Sequence, residues 1–124
     1  MPQKILIVDD DKGIIEFLTV LLEKKGYEIT AAMDGVQAME KAMKIKPDLI
    51  ILDIMMPGGS GITVYNRIKQ SVLTQKIPVI FLTAMPIANA KAQLPPNDQT
   101  IILSKPVEQE GFISAIDAQL RGQI

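Results

Sequence analysis

The sequence contains no cysteine, no histidine and no tryptophan, and its aromatic content is only 4%. Without thiols there is no disulfide, no zinc–thiolate centre and no sulfur nucleophile. Without imidazole, histidine acid–base chemistry and most transition-metal sites are excluded as well. An excess of one charge is also lacking. With 13 Lys and Arg against 14 Asp and Glu, no overall field gathers nucleic acid or an anionic membrane. Apolar runs reach only about four to six residues, far short of the ~20 that a membrane span needs. Met1-Pro2-Gln3-Lys4 leads to a charged loop by Asp9, which is not the pattern of a secretory signal. The expectation is a soluble, cytoplasmic protein with no membrane and no direct nucleic-acid partner. Its chemistry must rest on carboxylates, hydroxyls, lysines or backbone.

What is present is aliphatic: 48% of the 124 residues are hydrophobic. A chain of this length buries roughly two-thirds of its unfolded surface and reads as one domain over 1–124. Four blocks, Ile5–Val8, Leu49–Leu52, Val79–Leu82 and Ile101–Leu103, are continuous and rich in β-branched residues, as expected of strands covered on both faces. Glu28–Ala32 is half polar and suits an edge. Between the blocks, apolar residues recur at helical spacing. Ile14 to Leu22 form one such stretch, stopped by Gly26; a second is capped by Asp34 and ends before Pro47. A third runs from about Ile62 to Gln70 with Val64 and Ile68 inward, and a last one follows Pro106, which is well placed to start it, with Phe112, Ile113, Ile116 and Leu120 on one face. Ile87–Leu94 offers two turns at most before Pro95-Pro96-Asn97-Asp98 ends them. Strict alternation of this kind predicts an α/β fold: a doubly wound, five-stranded parallel sheet with a short or irregular fourth helix.

In such a sheet the site lies beyond the carboxyl ends of the strands. Asp9, Asp10 and Asp11 follow the first strand, Asp53 the third, Thr83 and Ala84 the fourth, and Ser104 and Lys105 the fifth. Each alone is ordinary, since an aspartate after a strand commonly forms a turn or caps a helix, and Asp11 can be just that. Together they form one rim. Crowded carboxylates repel and take up protons unless a cation sits among them, and an all-oxygen set fits Mg2+. A carboxylate there can act as a nucleophile toward phosphorus, with Mg2+, Lys105 and Thr83 meeting the phosphoryl oxygens. Gly58-Gly59-Ser60-Gly61 lacks the Lys-Ser/Thr of a P-loop and reads as a turn into the third helix.

The stretches ILIVDDD, DLIILDIMMPGGSG, VIFLTA and LSKP resemble the receiver domain of two-component response regulators over the whole chain, with Thr83 and Lys105 at the usual interval of 22 residues. The resemblance implies a flavodoxin-like sheet of order 2-1-3-4-5. It implies Asp53 as the phosphoacceptor for a sensor histidine kinase or phosphotransfer protein, with Mg2+ held by Asp9, Asp10, Asp53 and the Met55 carbonyl. Thr83 becomes the switch hydroxyl and Lys105 the phosphoryl contact, followed by a cis bond to Pro106. Phosphorylation then controls a downstream protein or output domain; the chain catalyses only its own phosphorylation and dephosphorylation. Two departures stand out. Ile102 occupies the place of the usual Tyr or Phe three residues before the lysine, and PIANAKAQLPPNDQT replaces the usual fourth helix and its turn. The expected consequence is coupling through residues 84–100 rather than through Ile102. Met55 and Met85 flank the site and are expected to lengthen the lifetime of the acyl phosphate. The competing readings are a receiver-like docking module that works unphosphorylated and, more remotely, a flavodoxin-like cofactor binder.

Overall fold

β-Branched aliphatic runs become strands because their side chains pack well on a pleated surface buried on both faces. In the computed structural model, which describes residues 2–56, 59–96, 98 and 100–121, these runs form β1 (Lys4–Val8), β3 (Leu49–Leu52), β6 (Val79–Thr83) and β7 (Ile101–Ser104). The half-polar segment forms β2 (Glu28–Ala32). The five strands are parallel, in the order β2-β1-β3-β6-β7. Counting these strands alone, that is the expected 2-1-3-4-5 arrangement with the half-polar strand at an edge.

Helices α1 (Lys12–Glu23), α2 (Gly35–Ile45), α3 (Gly61–Gln70), α4 (Ile87–Lys91) and α5 (Gln109–Arg121) connect or follow the strands. The core has two parts, one on each face of the sheet. Leu18 and Leu22 of α1 pack with Phe112, Ile116 and Leu120 of α5 on one side. Ala38, Ala42, Val64, Tyr65 and Ile68 of α2 and α3 pack on the other, joined by Ala90 of α4. The Tyr27 hydroxyl donates to Asp117, which ties the turn before β2 to α5; burial and that carboxylate push the Tyr27 pKa up to about 12.

The helix ends follow their side chains. The Asp11 carboxylate accepts from the Gly13 and Ile14 amides at 2.8 and 3.3 Å, and Asp34 accepts from Gln37 at 2.8 Å. Asp11 is thus a cap, as one of its two readings had it. The turn after α1 puts Gly26 at φ 92°, a conformation that side chains resist.

Three details differ from expectation, while α4 is short as the sequence implies. β7 is only half-buried because it closes the sheet edge, so Ile102 is a partly buried side chain packed against the core rather than a fully enclosed one. Pro106 does not begin α5: it follows a cis Lys105–Pro106 bond, and Glu108 caps the helix by accepting from the Glu110 and Gly111 amides at 3.2 and 2.6 Å. α4 is a single short helix of five residues, ending at Lys91. A small hairpin of β4 (Met55–Met56) and β5 (Gly59–Ser60) precedes α3, with Ser60 as its cap. Pro57, Gly58 and Asn97, used in the sequence reading, lie outside the described residues.

Candidate functional site

Sheet register brings the rim together. Val8 pairs with Leu52, so Asp9 and Asp53 leave the sheet side by side, and the Asp53 amide donates to the Val8 carbonyl at 3.0 Å. Leu52 pairs with Phe81 and Thr83 with Ser104, which delivers Thr83 and Lys105 to the same edge. The Lys105 amide bonds the Thr83 carbonyl at 2.9 Å.

Carboxylate oxygens of Asp9, Asp10 and Asp53 lie within 4.8 Å of one another. Asp9 and Asp53 are buried and Asp10 is exposed. The Lys105 ammonium reaches into the cluster, 2.8 Å from Asp9 Oδ2 and 3.2 Å from Asp53 Oδ2. The other oxygens are held by backbone: the Asp11 amide donates to Asp9 Oδ1 at 3.0 Å and the Met55 amide to Asp53 Oδ1 at 3.3 Å. Thr83 is fully buried, and its Oγ1 accepts from the Met85 amide at 3.1 Å.

The electrostatics follow from this crowding. Burial holds the Asp9 carboxyl above its ordinary value, with the Asp53 charge adding to the effect; the hydrogen bonds from Lys105 and Asp11 oppose the rise without cancelling it. Burial pulls Lys105 down, but the Asp9 hydrogen bond and the charges of Asp53 and Asp9 outweigh it and raise the ammonium above its usual value. Three carboxylates against one ammonium leave a formal surplus of two negative charges. One divalent cation neutralises that surplus, and the donors are all oxygen. The residues present fit a hard cation such as Mg2+.

The side chains of Asp9, Asp10, Asp53 and Lys105 therefore converge, register brings Thr83 to the same edge, and the Asp11 carboxylate turns to the start of α1. The sequence reading missed Gly61. A Cβ at this position would lie 1.9 Å from the Asp53 carbonyl oxygen and 2.8 Å from its carbon, while the Gly61 amide bonds the Ile54 carbonyl at 2.8 Å. The start of α3 thus presses directly on the backbone that carries Asp53. A glycine immediately after the capping Ser60 was the available signal. Gly61→Ala is expected to destabilise the fold by about 2 kcal/mol or more, because backbone must shift to admit the methyl group. A denaturation midpoint equal to wild type would contradict this close approach.

Residues 5–117 match the response regulator receiver domain family. The chain is 36% identical over 118 residues to the DNA-binding dual master transcriptional regulator RpaA of Synechocystis sp., covering 95% of this chain and 49% of that protein. It is 40% identical over 117 residues to the phosphate regulon transcriptional regulatory protein PhoB of Pseudomonas aeruginosa, covering 94% and 51%. The chain thus spans about half the length of these relatives. Among solved structures, chemotaxis protein CheY4 of Vibrio cholerae superposes with a TM-score of 0.87 at 28% identity, covering 95% of this chain and 98% of that one. Sequence and fold agree with the acidic rim and its lysine: the chain belongs to the response regulator receiver domain family.

Proposed function

We propose that the chain, acting as a single receiver unit, accepts a phosphoryl group on Asp53 from the phosphohistidine of a sensor histidine kinase or phosphotransfer protein. The resulting change is proposed to control a downstream protein or output domain. The observation that carries this reading is the placement of Asp53: a buried carboxylate within 4.8 Å of carboxylate oxygens of Asp9 and Asp10 and 3.2 Å from the Lys105 ammonium, which also bonds Asp9. A docking module needs no such concentration of like charge at its rim.

The carboxylate oxygen of Asp53 attacks phosphorus. A P–O bond forms as the P–N bond to the donor imidazole breaks, and the leaving nitrogen keeps the electron pair and takes up a proton. Asp9, Asp10, Asp53 and the Met55 carbonyl are proposed to hold Mg2+, which when bound supplies positive charge to the phosphoryl oxygens. Lys105, which bonds Asp9 and Asp53, and the Thr83 hydroxyl on β6 are proposed to contact those oxygens.

The test is intact mass after incubation with acetyl phosphate, with and without Mg2+. A phosphoryl increment that requires the metal supports the proposal; no increment in either condition overturns it. Metal binding should be weak in wild type and weaker in Asp10→Ala, because one negative ligand is gone. It should also weaken as pH falls through the Asp9 pKa, which lies above the ordinary carboxylate value, since the ligands must be deprotonated. A Mg2+ titration in which Asp10→Ala equals wild type would count against the ligand set.

Met55 is 60% exposed at the mouth of the site, and Met85 packs partly against the core beside Thr83. Apolar side chains give an attacking water no hydrogen bond, so replacing Met55 with Asn and Met85 with Glu should shorten the phosphoryl lifetime several-fold. Loss of the mass increment after donor removal measures it. An unchanged or longer lifetime would remove the methionines from this role.

A further inference from the structure

Between α4 and β7, the side chains of Asp98 and Thr100 are both held by one hydroxyl. Tyr65 on α3 is 8% exposed, and its ring packs against Phe81 with centroids 5.2 Å apart. Its Oη lies 2.9 Å from Asp98 Oδ2 and 2.8 Å from Thr100 Oγ1, and Asp98 Oδ1 accepts from the Thr100 amide at 2.8 Å. Among the described residues, the side-chain hydrogen bonds that tie 95–100 to another element both end on this hydroxyl. The Lys69 ammonium sits 5.7 Å from the centre of the same ring and donates to the Ile77 carbonyl at 2.8 Å.

This cluster lies directly under the rim. Phe81 precedes Thr83 by two residues on β6, so both side chains leave the strand on the same face. Thr83 Oγ1 holds the Met85 amide, and Met85 packs in the same apolar group as Tyr65, Phe81, Leu94 and Ile102. Ile102 has neither ring nor hydroxyl with which to bond the loop. Asp98 and Thr100 also line a groove of about 410 Å³ with Leu94, Pro95 and Ile102, so their position sets its shape.

We propose that Tyr65 is the latch of the switch. Its hydroxyl holds Asp98 and Thr100 in the unphosphorylated position, and phosphorylation of Asp53 loosens that hold as Thr83 turns to the phosphoryl group and draws Met85 with it. The proposal rests on the phosphoacceptor reading above. It places regulation of that site in a side chain of α3 instead of β7.

Tyr65→Phe keeps the ring on Phe81 and removes the bonds. Without phosphorylation, amide exchange at 98–102 should become about tenfold faster than in wild type, the effect of one or two lost hydrogen bonds. Beryllofluoride should speed exchange there in wild type and add little in Tyr65→Phe, while acetyl phosphate labels both chains equally. Thr100→Val, which removes one partner and leaves the ring and hydroxyl in place, should shift exchange in the same direction by less. Exchange in Tyr65→Phe equal to wild type, or an undiminished beryllofluoride response, overturns the latch alone. A wild-type chain that gains no phosphoryl group overturns the trigger together with the functional reading.

Discussion

Asp53→Asn should reduce phosphoryl uptake from acetyl phosphate by on the order of a thousandfold or more, to the level of nonspecific labelling. The amide keeps the shape and the acceptor oxygen that the Met55 amide addresses, and it removes the nucleophile and one negative charge. Among the described residues, neither neighbouring carboxylate is placed as Asp53 is. Asp9 is already bonded to Lys105 and to the Asp11 amide, and Asp10 is exposed at the edge of the cluster without the lysine. The fold should survive, because the substitution relieves repulsion between buried carboxylates. Mass spectrometry over a time course checks the rate; uptake at the wild-type rate would reassign the acceptor.

Lys105→Met should show the second large effect, in stability as well as in chemistry. Among the described residues, its ammonium is the one basic group placed against Asp9 and Asp53, whose side chains are 3% and 6% exposed. Removing one partner of a buried charge cluster leaves the others uncompensated. We expect a loss of about 2 kcal/mol in the absence of metal, below the full penalty for a buried pair because Asp9 can take up a proton at the rim. Mg2+ should restore much of that loss, since the cation neutralises the same carboxylates, but phosphoryl uptake should remain slow. Denaturant melts in EDTA and in Mg2+ separate the two effects. Equal stability of variant and wild type in EDTA would show that the lysine does not balance the acids.

The rim was legible because it needs only two inferences. Aliphatic runs alternating with helical periods make a parallel sheet, and such a sheet collects whatever follows its strands at one edge. Asp9, Asp10, Asp53, Thr83 and Lys105 fall there whatever the exact helix lengths. Edge effects were less legible: Ile101–Leu103 reads like an enclosed strand, and only its place in the sheet order makes it half-buried. Pro106 satisfies the rule for a helix start, yet Glu108 provides the cap. Gly61 was read as part of a turn, since its reason is a backbone contact eight residues away with Asp53. Tyr65 was invisible as a polar anchor. Its partners stand 33 and 35 residues later in a loop with no periodicity, so nothing local reports the contact.

Locating the modified residue tests the assignment most directly. The wild-type chain is incubated with acetyl phosphate and Mg2+, the acyl phosphate is trapped by borohydride reduction, and the digest is sequenced by fragmentation. The expected result is one modified position, Asp53, with Asp9, Asp10 and Asp11 unchanged. Modification of any of those three in place of Asp53, or no modified carboxylate at all, would contradict Asp53 as the phosphoacceptor.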